Sequence, residues 1–326
     1  MSAMKKKLLF IVNPVSGRVM HHRSLADAIH ALEEADYEVT TYLTEKRGDA
    51  TEMAATMGAY YDLVVCLGGD GTLSETVNGL NRIDFCVPLG YIPAGSTNDF
   101  AMSLDLSTNI IESARDIARG VCREVDVTRL GERCFVNAAI TGIFSSVAYS
   151  TPQDMKNSLG FLAYVLNGVK DLNKLRATHM RIVTDSQVCE GDYLFAAVCN
   201  SSGLGGAFSF PEGCGRSDDG KFEALFVKKP SRLGDLEKII GQLLSAQYRP
   251  ENIDFIQSDA MTVETLESMP WAVDGEALEP GYCHPFEVMP KRLALLVRPG
   301  TPMGPQAWTK KIGRWLEFDA GRAGLH

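Results

Sequence analysis

Four short apolar runs, at residues 8–12, 39–43, 63–67 and 88–92, alternate with helical stretches through the first third of the chain. Strands separated by whole helices come back to the same end of a sheet, so they pair in parallel and the helices cover the faces. One-sided apolar spacing marks the helices. Ser24 with Asp27 resembles a capping box for a helix carrying Leu25, Ala28, Ile29 and Leu32; Asp49 is placed to cap a short helix; residues 73–80 and 110–119 supply two more.

After Asp126 the rhythm changes. Strand signals cluster at 134–141, 179–184, 193–199, 222–227, 260–266 and 293–297, with helices expected at 160–171 and 233–246, which predicts a mainly antiparallel β domain. A length of 326 residues also exceeds what one core usually serves. The expected division is an α/β domain over 1–127 and a β-rich domain over 128–302. Residues 303–318 form an amphipathic pattern, Trp308, Ile312, Trp315 and Leu316 against Lys310, Lys311 and Arg314, expected to pack back on the first domain.

A formal net charge of −9 disfavours nucleic acid as a partner and leaves any membrane contact to local patches. Eight cysteines without a C-x-x-C pair fit a reducing, cytoplasmic compartment. No segment approaches the roughly 18 to 20 apolar residues of a membrane span, and the run after Lys5-Lys6-Lys7 reads as a first strand.

The stretch V-V-C-L-G-G-D-G-T-L-S-E over 64–75 carries a strand into two glycines and then into a helix. Gly68 and Gly69 can let backbone N–H groups close on an oxygen, and the helix start adds partial positive charge. A bare carboxylate in such a phosphate cradle would repel the ligand. Asp70 therefore makes chemical sense with a Mg²⁺ bridging it to phosphate oxygens; taken alone, it also fits a helix cap. Two further loops, Asn13-Pro14-Val15-Ser16-Gly17 and Pro93-Ala94-Gly95-Ser96-Thr97-Asn98-Asp99, follow the first and fourth strands. Carboxyl-end loops of a parallel sheet form its ligand crevice, and these three together offer donors to an extended polyphosphate. The chain has no G-x-x-x-x-G-K-[ST], and Gly203-Leu204-Gly205-Gly206 lacks dinucleotide spacing. Asp274-Gly275-Glu276 and Asp218-Asp219-Gly220 each fit a hairpin turn. His179 and His284 lack zinc spacing and read as structural.

N-P-V-S-G, G-G-D-G-T-L-S-E and P-A-G-S-T-N-D-F-A, in this order, resemble the catalytic domain of the diacylglycerol kinase family, which includes sphingosine, ceramide and bacterial lipid kinases. E-V-D-V from Glu124, F-V-N-A-A-I-T-G-I-F from Phe135, D-D-G-K-F from Asp218 and V-D-G-E from Val273 extend the likeness over the whole chain. The resemblance implies an α/β N-terminal domain with a parallel sheet, of the NAD kinase/diacylglycerol kinase kind, and a mainly antiparallel β-sandwich C-terminal domain that receives lipid. It implies ATP contacts at Asn13, Pro14, Val15, Ser16, Gly17, Thr44, Gly69, Asp70, Gly71, Thr72, Leu73, Ser74, Glu75 and Ser96, with Asp70 organising catalytic Mg²⁺. Glu276 matches the proposed general base, Asp126 a partner that helps align it, and Asp99 a substrate-side position. Asp219, with the carbonyls of Arg216 and Lys221, matches a structural metal site. Asp70 as the base is the mechanistic rival. Two positions depart from the pattern: Ser96 stands for the usual threonine, and Met102 stands where arginine is frequent, which puts a phosphate or headgroup contact there in doubt. The implied reaction is ATP- and Mg²⁺-dependent phosphorylation of a lipid hydroxyl by a cytoplasmic, peripherally membrane-associated enzyme; the sequence leaves the oligomeric state open, a homodimer among the options. The rivals are a soluble-substrate kinase of the NAD kinase type and a catalytically silent nucleotide or lipid sensor.

Overall fold

The structure, a computed structural model, describes residues 5–17, 22–142, 176–201, 203–204 and 208–304. The helix expected at 160–171 lies outside the described residues, as does that at 303–318 apart from its first two positions.

The first part runs β1 (Lys6–Val12), α1 (His22–Glu33), β2 (Tyr37–Leu43), α2 (Asp49–Met57), β3 (Leu63–Gly68), α3 (Asp70–Asn81), β4 (Leu89–Pro93), α4 (Asp99–Ser103) and α5 (Ile110–Ala118). β4, β3, β1 and β2 lie side by side and pair in parallel, as the alternation predicts. The apolar runs are continuous because both faces of β1 and β3 are covered. Leu9, Ile11, Val64 and Cys66 meet Ala50 and Ala54 of α2 and Leu73, Val77 and Leu80 of α3. The alternate residues Leu8, Phe10, Val65 and Leu67 meet Ala28 and Leu32 of α1 and Ala114 and Ile117 of α5.

The second part comprises β5 (Val121–Leu130), β6 (Arg133–Phe135), β7 (Ala138–Gly142), β8 (Thr178–Val183), β9 (Val188–Cys199), β10 (Gly203–Leu204), β11 (Phe208–Ser209), β12 (Phe222–Lys228), α6 (Leu233–Ser245), β13 (Ile253–Ser258), β14 (Ala260–Met269), β15 (Ala272–Val273), β16 (Glu276–Ala277) and β17 (Gly281–Val297). Its pairings are antiparallel except where β17 meets β4 in parallel through Leu295 and Leu89, which joins the parallel sheet to the rest. β9 and β12 are also buried on both faces. Ala196, Val198, Ala224 and Phe226 face an aromatic-rich core with Trp271 and Phe286, whereas Phe195, Ala197, Leu225 and Val227 face Ile239 and Leu243 of α6.

Several local expectations are corrected. Ser24 lies inside α1, which begins at His22. Asp49 is the first helical residue of α2, not its cap; the cap position is Gly48, with φ at 89°. The single strand expected over 134–141 is interrupted at Val136 and Asn137, whose N–H groups turn to a side chain instead of a ladder. The short strand at 293–297 is the end of a 17-residue β17 that changes register between Met289 and Leu293.

Beneath the β12 sheet Glu223 is fully buried; one oxygen accepts from Gly215 N at 2.8 Å and Gln257 Nε2 at 3.0 Å, and the other has no partner among the described residues. Burial pushes its carboxyl from 4.5 up to about 7. Between those values the unfolded chain ionises the group while the folded chain keeps it protonated, so stability falls as pH rises through that window. The loss is on the order of 3 kcal/mol above it. Glu223→Gln is therefore expected to raise Tm relative to wild type at pH 8 and to change it little at pH 4.5. Thermal melts at the two pH values check this, and equal shifts at both would disconnect Glu223 from the pH dependence.

Candidate active site

Three loops at the carboxyl ends of β1, β3 and β4 meet at the start of α3. Asn13 follows β1 and donates from Nδ2 to Thr72 Oγ1 at 3.0 Å, while its Oδ1 accepts from Val15 N at 3.1 Å. That Asx turn presents Pro14, Val15 and Gly17 to solvent, with Val15 83% exposed, and leaves Ser16 half-buried. Thr44 closes β2 beside it through Thr44 N to Val12 O at 2.9 Å.

The second and third loops approach each other as only glycines permit. A Cβ on Gly95 would lie 2.6 Å from Gly69 Cα and 2.9 Å from Asn98 Oδ1, and one on Gly68 would strike Thr72 Oγ1 at 2.3 Å. Asn98 sets the shape of the third loop: its Oδ1 accepts from Gly95 N and its Nδ2 donates to Gly95 O, both at 2.9 Å. Ser96 is exposed at the mouth, and Asp99 opens α4.

Asp70 is the first residue of α3. Its carboxylate accepts from Thr97 Oγ1 at 3.2 Å and Phe100 N at 3.4 Å, so it sits at the amino end of α4. Burial nevertheless pushes its carboxyl above the usual range, against those donors. The backbone N–H groups of Asp99 and Asn98 also favour the ionised form, yet burial outweighs all of these donors; a cation would offset that penalty, which suits a Mg²⁺ held by one carboxylate together with phosphate oxygens.

Farther along α3 the side chains turn to structural work. Thr72, Leu73 and Ser74 are buried, and Gly71 is exposed at the helix start. Glu75 accepts from Gly48 N at 2.9 Å and Ala50 N at 3.3 Å, supplying the α2 cap that Asp49 does not; its carboxylate is thereby committed to helix α2. Asn78 pairs in both directions with Cys134: Nδ2 to Cys134 O at 2.9 Å and Cys134 N to Oδ1 at 3.0 Å. Asp70, Ser74 and Asn78 are spaced i, i+4, i+8, hence on one face of α3, and that face meets β6.

Glu276 begins β16, just after the Asp274-Gly275 turn, where φ is 46° and 83° and Val273 pairs with Glu276. The Asp274 carboxylate accepts from Val136 N at 3.3 Å, Asn137 N at 3.2 Å and Ala138 N at 3.1 Å. These are the N–H groups that interrupt the strand after β6. Burial pushes the Asp274 carboxyl up to about 6, with the Asp70 charge a smaller contribution of the same sign. Glu276 itself is bound by two arginines that the sequence reading did not single out. Arg47 donates to Oε1 from Nε at 3.1 Å, and Arg133 donates from Nη2 to Oε2 while its Nη2 lies 3.5 Å from Ser74 Oγ. Arg133 thus links Glu276 to α3.

The Asp126 carboxylate accepts from Gly220 N and Lys291 N, each at 2.7 Å, while the turn that carries Glu276 is held by Asp274. Asp219 shares that region and turns back on Lys221 N at 3.1 Å; burial raises its carboxyl, with Asp126 adding to the effect. Among the described residues no group of three His, Cys, Asp or Glu side chains is arranged to hold a metal, so a cation at Asp219 would rest mainly on the carbonyls of Arg216 and Lys221.

Residues 7–130 match the family model of the diacylglycerol kinase catalytic domain, and residues 138–297 match that of the YegS C-terminal NAD kinase beta sandwich-like domain. The diacylglycerol kinase of Bacillus subtilis (strain 168) is 33% identical over 299 residues, covering 89% of this chain and 98% of the relative. The chain belongs to the diacylglycerol kinase family. A diacylglycerol kinase from Staphylococcus saprophyticus is 34% identical over 280 residues, covering 84% of this chain and 90% of its own. A solved diacylglycerol kinase structure from Bacillus anthracis str. Sterne superposes with a TM-score of 0.72 at 25% identity, covering 91% of this chain and 98% of that one. The fold follows the family's two-part form, and the chain is a kinase.

In this diacylglycerol kinase relative the contact between Gly69 and Gly95 has no slack. Gly95→Ala is expected to force the two loops apart at a cost of about 1 to 3 kcal/mol. The readouts are a lower Tm and weaker nucleotide binding together. A wild-type melt with wild-type nucleotide affinity would mean that the loops tolerate the added methyl.

Proposed function

We propose that the enzyme transfers the γ-phosphoryl group of ATP to the primary hydroxyl of diacylglycerol or a related lipid, giving phosphatidic acid or its equivalent. The observation that carries this reading is the position of Glu276. The β15–β16 turn is tied by Asp274 to the segment after β6, and β6 is tied by Asn78 to α3, the helix that starts in the Gly68–Gly69 loop. A carboxylate is thereby held beside a phosphate cradle, which is what transfer to an alcohol requires.

Backbone N–H groups of the three loops and the amino end of α3 would hold the phosphates. Mg²⁺, when bound with the phosphates, supplies charge neutralisation on the transferring group, and Asp70 is the side chain that would hold it. Glu276 accepts the hydroxyl proton as the lipid oxygen forms its bond to phosphorus and the bond to the ADP oxygen breaks. Asp274 acts through Glu276 by fixing the turn.

The lipid is met at a membrane surface, with the β-rich part receiving its apolar portion. Among the described residues no helix is long and apolar enough to cross a membrane. The residues expected to give a local basic and aromatic contact, Trp308 to Trp315, lie outside the described residues. A soluble acceptor of the NAD kinase type is disfavoured by the names of the curated relatives, which cover nearly all of their length with this chain.

Radiolabelled ATP with diacylglycerol, a sphingoid base and other lipids in mixed micelles, followed by separation of labelled products, tests the reaction. One labelled lipid that depends on both ATP and Mg²⁺ is expected; label in soluble products alone would refute the reading. Glu276→Gln is expected to lower kcat by about 10² or more with an unchanged melt, since the amide keeps the size but not the basicity. A near-normal kcat in a folded Glu276→Gln protein would move the role of base to another group. Asp70→Asn is expected to abolish the Mg²⁺ dependence along with nearly all turnover; a wild-type Mg²⁺ titration curve would reduce Asp70 to a cap of α4.

A further inference from the structure

Glu276 is held by arginines from two directions. Arg47 comes from the loop between β2 and α2, in the part matched by the catalytic-domain model, and engages Oε1 from both Nε at 3.1 Å and Nη2 at 3.0 Å. Arg133 opens β6 and engages Oε2 with Nη2. Their settings differ, since the Arg47 side chain is 72% exposed and that of Arg133 is 24% exposed. Moreover, Arg133 Nε is buried and has no acceptor among the described residues.

An unpaired, buried guanidinium N–H is costly, and structures seldom leave one without a use. Nε and Nη2 share one edge of the guanidinium, at a spacing that meets two oxygens of a single phosphate or carboxylate. Glu276 occupies only Nη2 of that edge, so half of the fork is unused. The fork lies beside Ser74, one helical turn after the Asp70 end of α3, where the phosphates of the proposed donor would arrive.

We propose that Arg133, assisted by Arg47, receives the terminal phosphoryl group of the nucleotide, and that Glu276 is the internal anion these arginines hold until a phosphate displaces it. This rests on the lipid-kinase reading for the identity of the donor. Seating the phosphate would pair both Nε and Nη2 of Arg133 and withdraw both guanidinium groups from Glu276. The carboxylate would then be free to accept the hydroxyl proton. Release of the base is thereby tied to the presence of the group to be transferred.

The test is equilibrium binding of ATP and of ADP, with excess Mg²⁺ and no lipid, to the full-length wild type, Arg133→Lys and Glu276→Gln. Wild type is expected to prefer ATP. Arg133→Lys keeps the charge but loses the fork, and is expected to weaken ATP binding about ten-fold or more while leaving ADP within about two-fold. Glu276→Gln is expected to bind ATP several-fold more tightly than wild type, because the competing carboxylate is gone, although it no longer turns over. A loss in Arg133→Lys that falls equally on ATP and ADP, or no loss at all, overturns the assignment. So does unchanged or weaker ATP binding by Glu276→Gln. Should Arg133→Lys fail a thermal melt, the Glu276→Gln measurement decides alone. A wild type that shows this nucleotide pattern yet phosphorylates no lipid would refute the lipid-kinase reading and leave the arginine assignment standing.

Discussion

The two-way pairing between the Asn78 amide and the backbone of Cys134 is the contact on which the rest of the site depends. It is buried, it satisfies a donor and an acceptor at once, and it fixes the register between α3 and β6. α3 starts in the glycine loop; β6 leads into the N–H groups that hold Asp274. Two structural systems with no strand in common at this point are thus set against each other by one side chain. A buried amide that lost half of this pairing would leave a polar group unpaired, so sliding α3 along β6 is strongly disfavoured.

The charge arrangement follows from that register. Asp70, Asp274 and Glu276 place three carboxyl groups around one cleft in a chain whose net charge is already −9. Each is handled differently. Asp274 spends its acceptors on three backbone N–H groups, Glu276 is matched by Arg47 and Arg133, and Asp70 is met by neutral donors at the amino end of α4 and by no cationic side chain among its hydrogen-bond partners. An anion as charged as a nucleotide tail can enter such a cleft only if cations precede or accompany it. The two arginines are positioned to do so, and a divalent ion held by Asp70 would add to them.

The parallel sheet was legible because its signal is local: continuous apolar runs and loops of small residues at strand ends depend on neighbours a few positions away. The same is true of the loops that carry Asn13, Asp70 and the glycines, whose shapes come from turn geometry near them in sequence. Arg47 and Arg133 were not legible, because their partner Glu276 is more than a hundred residues distant in each case and a surface-type arginine carries no local mark. The partners of Glu75 and Asp126 were not legible for a related reason. Both are acids in motifs that surround the site, yet their carboxylates answer backbone N–H groups brought from other elements, the start of α2 and the segments at Gly220 and Lys291. The i, i+4, i+8 spacing of Asp70, Ser74 and Asn78 was a usable signal. Polar residues on one face of an otherwise buried helix imply a polar neighbour there.

The two readings of Asp70, helix cap and cation ligand, are compatible in this geometry. The bonds from Thr97 and Phe100, at 3.2 and 3.4 Å, fall one on each carboxylate oxygen, and the backbone N–H groups of Asp99 and Asn98 add to them. The cap restrains rotation of the carboxylate at the carboxyl end of β3. It also makes Asp70 the point where the loops after β3 and β4 are joined by charge as well as by the Gly69–Gly95 contact. Loss of the α4 amino end would free the carboxylate to turn away from the cradle, so the N-D-F-A segment fixes where Asp70 stands without itself having to touch a ligand. That dependence gives a physical reason why a short helix of five residues, too short to be stable alone, belongs in this loop.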